Sequence, residues 1–175
     1  MPAGWRGKLF WLLGGLALLL FLAACGSGSG TDSEGADSGK GALHVHQAPN
    51  GDTREETASL DKLPAFLDNR PNKMLLAYQA AAKLRDTLQW IPCYCGCGES
   101  AGHKSNLNCF IHEVREDGTV VWDDHGTRCD VCQTIALQAA QMKSQGKSDL
   151  EIRKFIDASY KNGYAKPTVT PMPEV

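Results

Sequence analysis

Six thiols crowd into 40 residues of this 175-residue chain, and their spacing invites metal or redox chemistry. Cys93, Cys95 and Cys97 alternate with Tyr94 and Gly96, with Pro92 before them and Gly98 after. A disulfide between residues two apart closes a small strained ring, so these thiols suit one another poorly as partners. Gly96 and Gly98 permit positive φ, which lets the backbone turn back and aim several sulfurs into one space. A soft cation fits such a pocket. Further on come His103, Cys109, His112, His125 and the pair Cys129 and Cys132, spaced C-x-x-C. That pair opens a predicted helix, whose positive end favours thiolate, although Asp130 partly opposes the effect. Asp123-Asp124-His125-Gly126 reads as a turn that carries His125 to the same place.

The candidate ligands are therefore Cys93, Cys95, Cys97, Cys109, Cys129 and Cys132, with His103 and His125 as contributors. Abundant thiolates suit Cu(I), and four of them satisfy tetrahedral Zn(II). More sulfurs than one zinc needs tips the reading slightly to copper, and to capture and hand-off with a metal donor or acceptor protein. His112 reads as a surface or packing residue, His44 and His46 as solvated or weakly metal-binding, and Tyr94 and Trp90 as shields against water. Asp123 and Asp124 read as strand terminators. Two other chemistries stay open. Cys129 and Cys132 could cycle as a thiol-disulfide pair, and six cysteines could equally form structural bridges in an oxidising compartment. No nucleophile-base pair or phosphate loop stands out, so no catalytic residue is assigned. With 18 Lys+Arg against 20 Asp+Glu, the chain has no basic excess for a nucleic-acid partner.

The N-terminus reads as an address. Arg6 and Lys8 precede an apolar run from Leu9 to Leu22, shorter than the roughly 20 residues a membrane-spanning helix needs. It fits the apolar region of an export signal. The run ends in Leu22-Ala23-Ala24-Cys25, which resembles a bacterial lipobox. That resemblance implies cleavage before Cys25, a diacylglyceryl group on its sulfur, and anchorage to the lipid bilayer on the extracytoplasmic face of the cell membrane. Residues 25–59 then read as a Gly/Ser/Asp-rich flexible linker.

The elements that must position the thiols come next. A short apolar turn or helix is expected at 60–67. Met74, Leu75, Tyr78, Ala81, Ala82 and Leu88 recur at helical spacing and predict one helix over 72–89. Between Cys109 and Trp122 the pattern is ambiguous: Leu107, Phe110, Ile111 and Val114 fit a helix, and Thr119 to Trp122 a strand after the Asp117-Gly118 turn. Cys132, Ile135, Ala136, Ala139 and Met142 mark a second helix, stopped by Gly146. Ser148 and Glu151 form a capping box for a third, which Asn162-Gly163 ends. The fold class is mainly α: a Cys-rich helical domain over 60–165, an irregular sulfur-bearing segment, one hairpin at most, and a Pro-rich tail over 166–175.

The hexapeptide PCYCGC at 92–97, with Gly102-His103-Lys104-Ser105, Cys109-Phe110, His125-Gly126 and the C-x-x-C pair, resembles the bacterial PCYCGC-motif lipoproteins over about 71–160. The resemblance implies export, lipidation and metal binding, and no particular reaction. A weaker likeness links Arg128-Cys129-Asp130-Val131-Cys132-Gln133 to cytochrome c maturation thioreductases of the CcmH type. It implies disulfide exchange by Cys129 and Cys132. Asp130 stands where that family carries Pro, and PCYCGC has no counterpart there.

Overall fold

A computed structural model describes residues 44–174, so the leader, Cys25 and the first part of the linker lie outside the described residues. Val120, Val121 and Trp122 are β-branched or aromatic, and with Asp123 they form a strand whose four residues are all buried. Asp117 and Gly118 turn the chain ahead of them: Gly118 adopts φ 88° and the Thr119 amide donates to Asp117 at 2.9 Å. This hairpin belongs to a four-stranded antiparallel sheet of β1 (Val45–Gln47), β2 (Thr53–Thr57), β3 (Ile111–Val114) and β4 (Val120–Asp123), in the order β1-β2-β4-β3. The mainly α reading holds, with a larger sheet than one hairpin.

β1 and β2 correct the expectation that a linker runs on to residue 59. β2 reads Thr-Arg-Glu-Glu-Thr, with no apolar alternation to announce a strand. It is held instead by its partners. It pairs with β4 from Arg54 opposite Asp123 to Thr57 opposite Val120. Trp122 donates from Nε1 to Thr57 Oγ1 at 2.7 Å, and Arg115 pairs with Glu56 at 2.6 Å. Glu55 accepts from the Ala65 and Phe66 amides at 2.6 and 3.1 Å, capping the 3-10 turn Ala65–Leu67.

The expected helix over 72–89 is two. α1 (Asn72–Lys83) ends at Leu84, where φ −118° and ψ 27° leave helical geometry, and α2 (Arg85–Leu88) resumes after it. The break turns the final residues so that Thr87 donates to Asp149 at 2.7 Å while Leu88 and Ile91 are fully buried. α3 (Cys97–Ser100) is a single turn. α4 (Asp130–Ser144) and α5 (Asp149–Tyr160) form the helical hairpin foreseen, with Gly146 at φ 81° and the Ser148–Glu151 capping box between them. Among the described residues no helix is long and apolar enough to cross a membrane.

The core lies where α1 and α4 meet the sheet. Tyr78 stacks edge-on to Phe110 at 5.0 Å between ring centres, with Trp122 at 6.2 Å. The buried Tyr78 hydroxyl donates to the Asp123 carbonyl at 2.7 Å, tying α1 to the end of β4 just before His125. Tyr78→Phe leaves that carbonyl short of a donor and should lower unfolding free energy by about 1–2 kcal/mol, read by denaturant titration.

Candidate metal centre

The PCYCGC segment is held at both ends before it turns. The Asn106 amide donates to the Ile91 carbonyl at 2.8 Å, closing the loop that carries three thiols and His103. Inside it Gly96 takes φ 87° and ψ 0°, a left-handed turn that doubles the chain back between Cys95 and Cys97. The tail expected to be loop lacks regular structure, yet it straps this segment. Thr168 accepts the Cys93 amide on Oγ1 at 2.8 Å and donates its own amide to the Cys93 carbonyl at 3.1 Å. The Ala165 amide donates to Tyr94 at 3.1 Å. The strap leaves no room at Gly98, where a β-carbon would stand 2.5 Å from Thr168 Cγ2. The buried guanidinium of Arg153 fixes the strap, donating to Trp90, Thr170 and Pro171 at 2.6–3.0 Å.

Cys109 arrives at the end of a 3-10 turn, Asn106–Cys109, closed by a Ser105–Asn108 capping box. Cys132 arrives on the first turn of α4, where Cys129 is the N-cap and its Sγ accepts the Cys132 amide at 3.4 Å. The result is a cup of four sulfurs from three segments: Cys93, Cys95, Cys109 and Cys132 all lie within 4.8 Å of one another. Four edges measure 2.9 Å (Cys93–Cys95), 3.0 Å (Cys109–Cys132), 3.6 Å (Cys95–Cys132) and 3.9 Å (Cys93–Cys132). A disulfide bond is about 2.05 Å, and all six cysteines of the segment are free. A tetrahedral ion with metal-sulfur bonds of about 2.3 Å sets edges of ~3.8 Å, so the cup is of a size to hold one.

The remaining predicted residues surround this cup. Cys97 Sγ lies 2.6 Å from Cys95, half-buried, and Cys129 sits at the cup's α4 side. His103 is buried, with Nδ1 3.4 Å from Cys109 Sγ. His125 stands on the turn after β4, its ring edge-on to His103 at 4.5 Å between centres. Gly126 follows because nothing larger fits: a β-carbon would meet the Cys109 carbonyl and the Phe110 ring at 2.7 Å. His112 is exposed on β3, and His44 and His46 are exposed as well, none of them in a ligand group. Tyr94 is buried, and its hydroxyl donates to Asp157 at 2.6 Å on the α5 side. Asp123 does end its strand, accepting from Arg54 at 3.1 Å and from the His125 amide at 3.0 Å.

One site residue escaped the sequence reading. Asp52, on the β1–β2 turn and 3% exposed, accepts from His125 Nδ1 at 3.1 Å, from Asn50 at 2.6 Å and from Arg128. The turn sequence Asn50-Gly51-Asp52 was the available signal, but in a stretch read as linker it pointed nowhere.

Four thiols so close cannot ionise together, and the cup divides its protons. Hydrogen bonds from Cys109 and neighbouring thiols hold Cys95 far below the ordinary thiol range. Cys109 and Cys132 likewise bring Cys93 from 9.0 down to about 5. Cys132 is driven far up by the surrounding sulfurs, Cys109 foremost, and burial together with Cys95 raises Cys97. Cys95 and Asp52 favour the His125 imidazolium, raising it to about 8 against the opposing effect of burial.

A folded pKa depressed below the unfolded one stabilises the fold above the unfolded value and loses that contribution as pH falls. For Cys93 the window runs from pH 9.0 down to about 5. The metal-free chain should keep its ultraviolet thiolate absorbance through neutral pH and lose the Cys93 share of it, with part of its stability, on acidification toward pH 5, while the Cys95 share persists.

Neither the curated proteins nor the solved structures contain a match to this chain. The CcmH-type likeness thus gains no support. Residues 15–173 do match the family described as "Protein of unknown function with PCYCGC motif". Since that match takes in nearly the whole chain, and the motif supplies two of the four cup sulfurs, the chain belongs to the PCYCGC-motif family.

Proposed function

We propose that this chain is a lipid-anchored, extracytoplasmic protein that captures a soft transition metal in its sulfur cup and passes it on. The observation that carries the reading is the convergence of Cys93, Cys95, Cys109 and Cys132 within 4.8 Å, from segments up to 39 residues apart. Structural bridges pair sulfurs off two by two, whereas Cys95 has both Cys93 and Cys132 beside it. A redox couple needs only two thiols, whereas Cys132 is shared between Cys109 and Cys95 rather than reserved for Cys129.

Capture follows from the proton division. The cup already carries thiolate character at Cys93 and Cys95, which attracts the ion first. The protons held on the other thiols leave as the ion binds, because only thiolate ligates well. Four sulfurs complete a Zn(II) shell, and Cys97 and Cys129 remain as spare donors at its edge. Spare soft donors favour Cu(I), which exchanges ligands readily among thiolates, and they offer a partner protein a route in. A diacylglyceryl Cys25 with an acylated amine supplies the two or more chains that stable membrane anchorage needs.

Full chain purified anaerobically without chelator should carry at least one Cu or Zn by element analysis. A Cys95→Ser/Cys132→Ser double variant should lose it. A metal-free protein whose Cys129 and Cys132 cycle between two thiols and a disulfide would replace this reading with the redox one. Cys25→Ser should move the chain from the membrane fraction to the soluble fraction.

A further inference from the structure

Beside the cup stands a second constellation with different donors. One carboxylate oxygen of Asp52 and one ring nitrogen each of His103 and His125 lie within 4.8 Å of one another. They come from the β1–β2 turn, the loop after α3 and the turn after β4, so the tertiary fold alone brings them together. We propose that Asp52, His103 and His125 form a second cation site, distinct from the sulfur cup, that takes a borderline divalent ion of the zinc class.

The independent sign of a ligand is at His103. This ring is 6% exposed; its Nδ1 faces Cys109 Sγ, and its Nε2 is buried with no partner. A buried polar atom left unsatisfied costs about 1–3 kcal/mol, so an unpartnered imidazole nitrogen inside a folded core calls for an occupant. A cation answers that need and draws on the two neighbours at once. Imidazole ligates in its neutral form, so the proton that Cys95 and Asp52 favour on His125 leaves as the ion binds; two imidazoles with one carboxylate then make a three-ligand set that leaves a fourth position for water.

Asp52 is suited to the role despite its present partners. An ionised carboxylate accepts at about four lone-pair positions. Asn50 takes Oδ2, Arg128 takes Oδ1, and His125 spans both. Arg128 is half exposed and already donates through its other terminal nitrogen to Asp124 at 3.0 Å. It can give up Asp52 and keep Asp124 when a cation arrives. The nearby triad of Asp52, Asp123 and Asp124 is not a competing site, because Arg54, Arg128 and the Thr53 and His125 amides already engage Asp123 and Asp124.

His103 joins the two centres, one ring nitrogen toward a cup sulfur and the other free. An ion held by nitrogen and oxygen therefore waits one imidazole away from the thiolates. This site does not depend on the cup being a metal centre, since none of its three donors is a sulfur.

The test is an anaerobic titration of the full chain with Zn(II) against a chromophoric chelator, with Co(II) as a spectroscopic probe. The wild-type chain should take up two equivalents. Asp52→Asn and His125→Gln should each take up one, with the thiolate-to-Co(II) charge-transfer band unchanged. Cys95→Ser/Cys132→Ser should lose that band and still bind one equivalent, so failure of the cup and failure of this site read out separately. A single equivalent in the wild type that Asp52→Asn and His125→Gln leave in place, or two in Asp52→Asn, overturns the proposal. So does a band diminished in His125→Gln, which would place the imidazole in the cup itself. Should the variants unfold by circular dichroism, histidine ¹⁵N spectra of the wild type decide. The second equivalent of Zn(II) must shift the ring nitrogens of His103 and His125, and unchanged resonances sink the site.

Discussion

Like charges packed into one small volume govern this structure. Two thiolates at about 4 Å repel by roughly 4 kcal/mol at an effective dielectric of 20, so four in one cup are untenable without compensation. The chain meets this by dividing protons, with Cys93 and Cys95 on the ionised side and Cys132 and Cys97 on the protonated side. The cup must also be held from outside, since its own members push apart once ionised. Two turns of backbone do that: the Asn106–Ile91 hydrogen bond below the PCYCGC loop and the Thr168 strap across Cys93.

That holding explains features that otherwise look incidental. The sheet places the turn after β4, and the Tyr78 hydroxyl fixes the Asp123 carbonyl at its start. Gly126 lets the backbone of Cys109 come close enough for its sulfur to meet Cys132. Arg153, buried on α5, serves the strap as much as the helix, joining α5 to the segment that covers Cys93. The two helices after the C-x-x-C pair therefore act as a rigid wall on which the thiol-bearing loop and the tail both lean.

Much of this was readable from residue types. The C-x-C-x-C run, the C-x-x-C pair at a helix start, the capping box at Ser148 and the aliphatic stripes of α4 and α5 each carry a local physical signature. The hairpin of β1 and β2 does not. Its strand Thr53–Thr57 is polar throughout and exists because β4 offers a ladder and Trp122, Arg115 and the Ala65 turn offer partners. Asp52 stayed hidden for the same reason, being delivered by that hairpin. The break at Leu84 and the docking of the tail are likewise answers to distant surfaces.

By itself, then, the order of residues determined which chemistry was possible: soft sulfur donors in excess, imidazoles among them, and helices to carry one pair. Tertiary structure decided which donors share a volume. It chose Cys93, Cys95, Cys109 and Cys132 over the other two thiols, and it set His103 and His125 against an aspartate more than 50 residues away. The reason is physical: ligand type and helix propensity are properties of a residue and its near neighbours. Convergence in space depends on hydrogen bonds and packing between segments that no local pattern records.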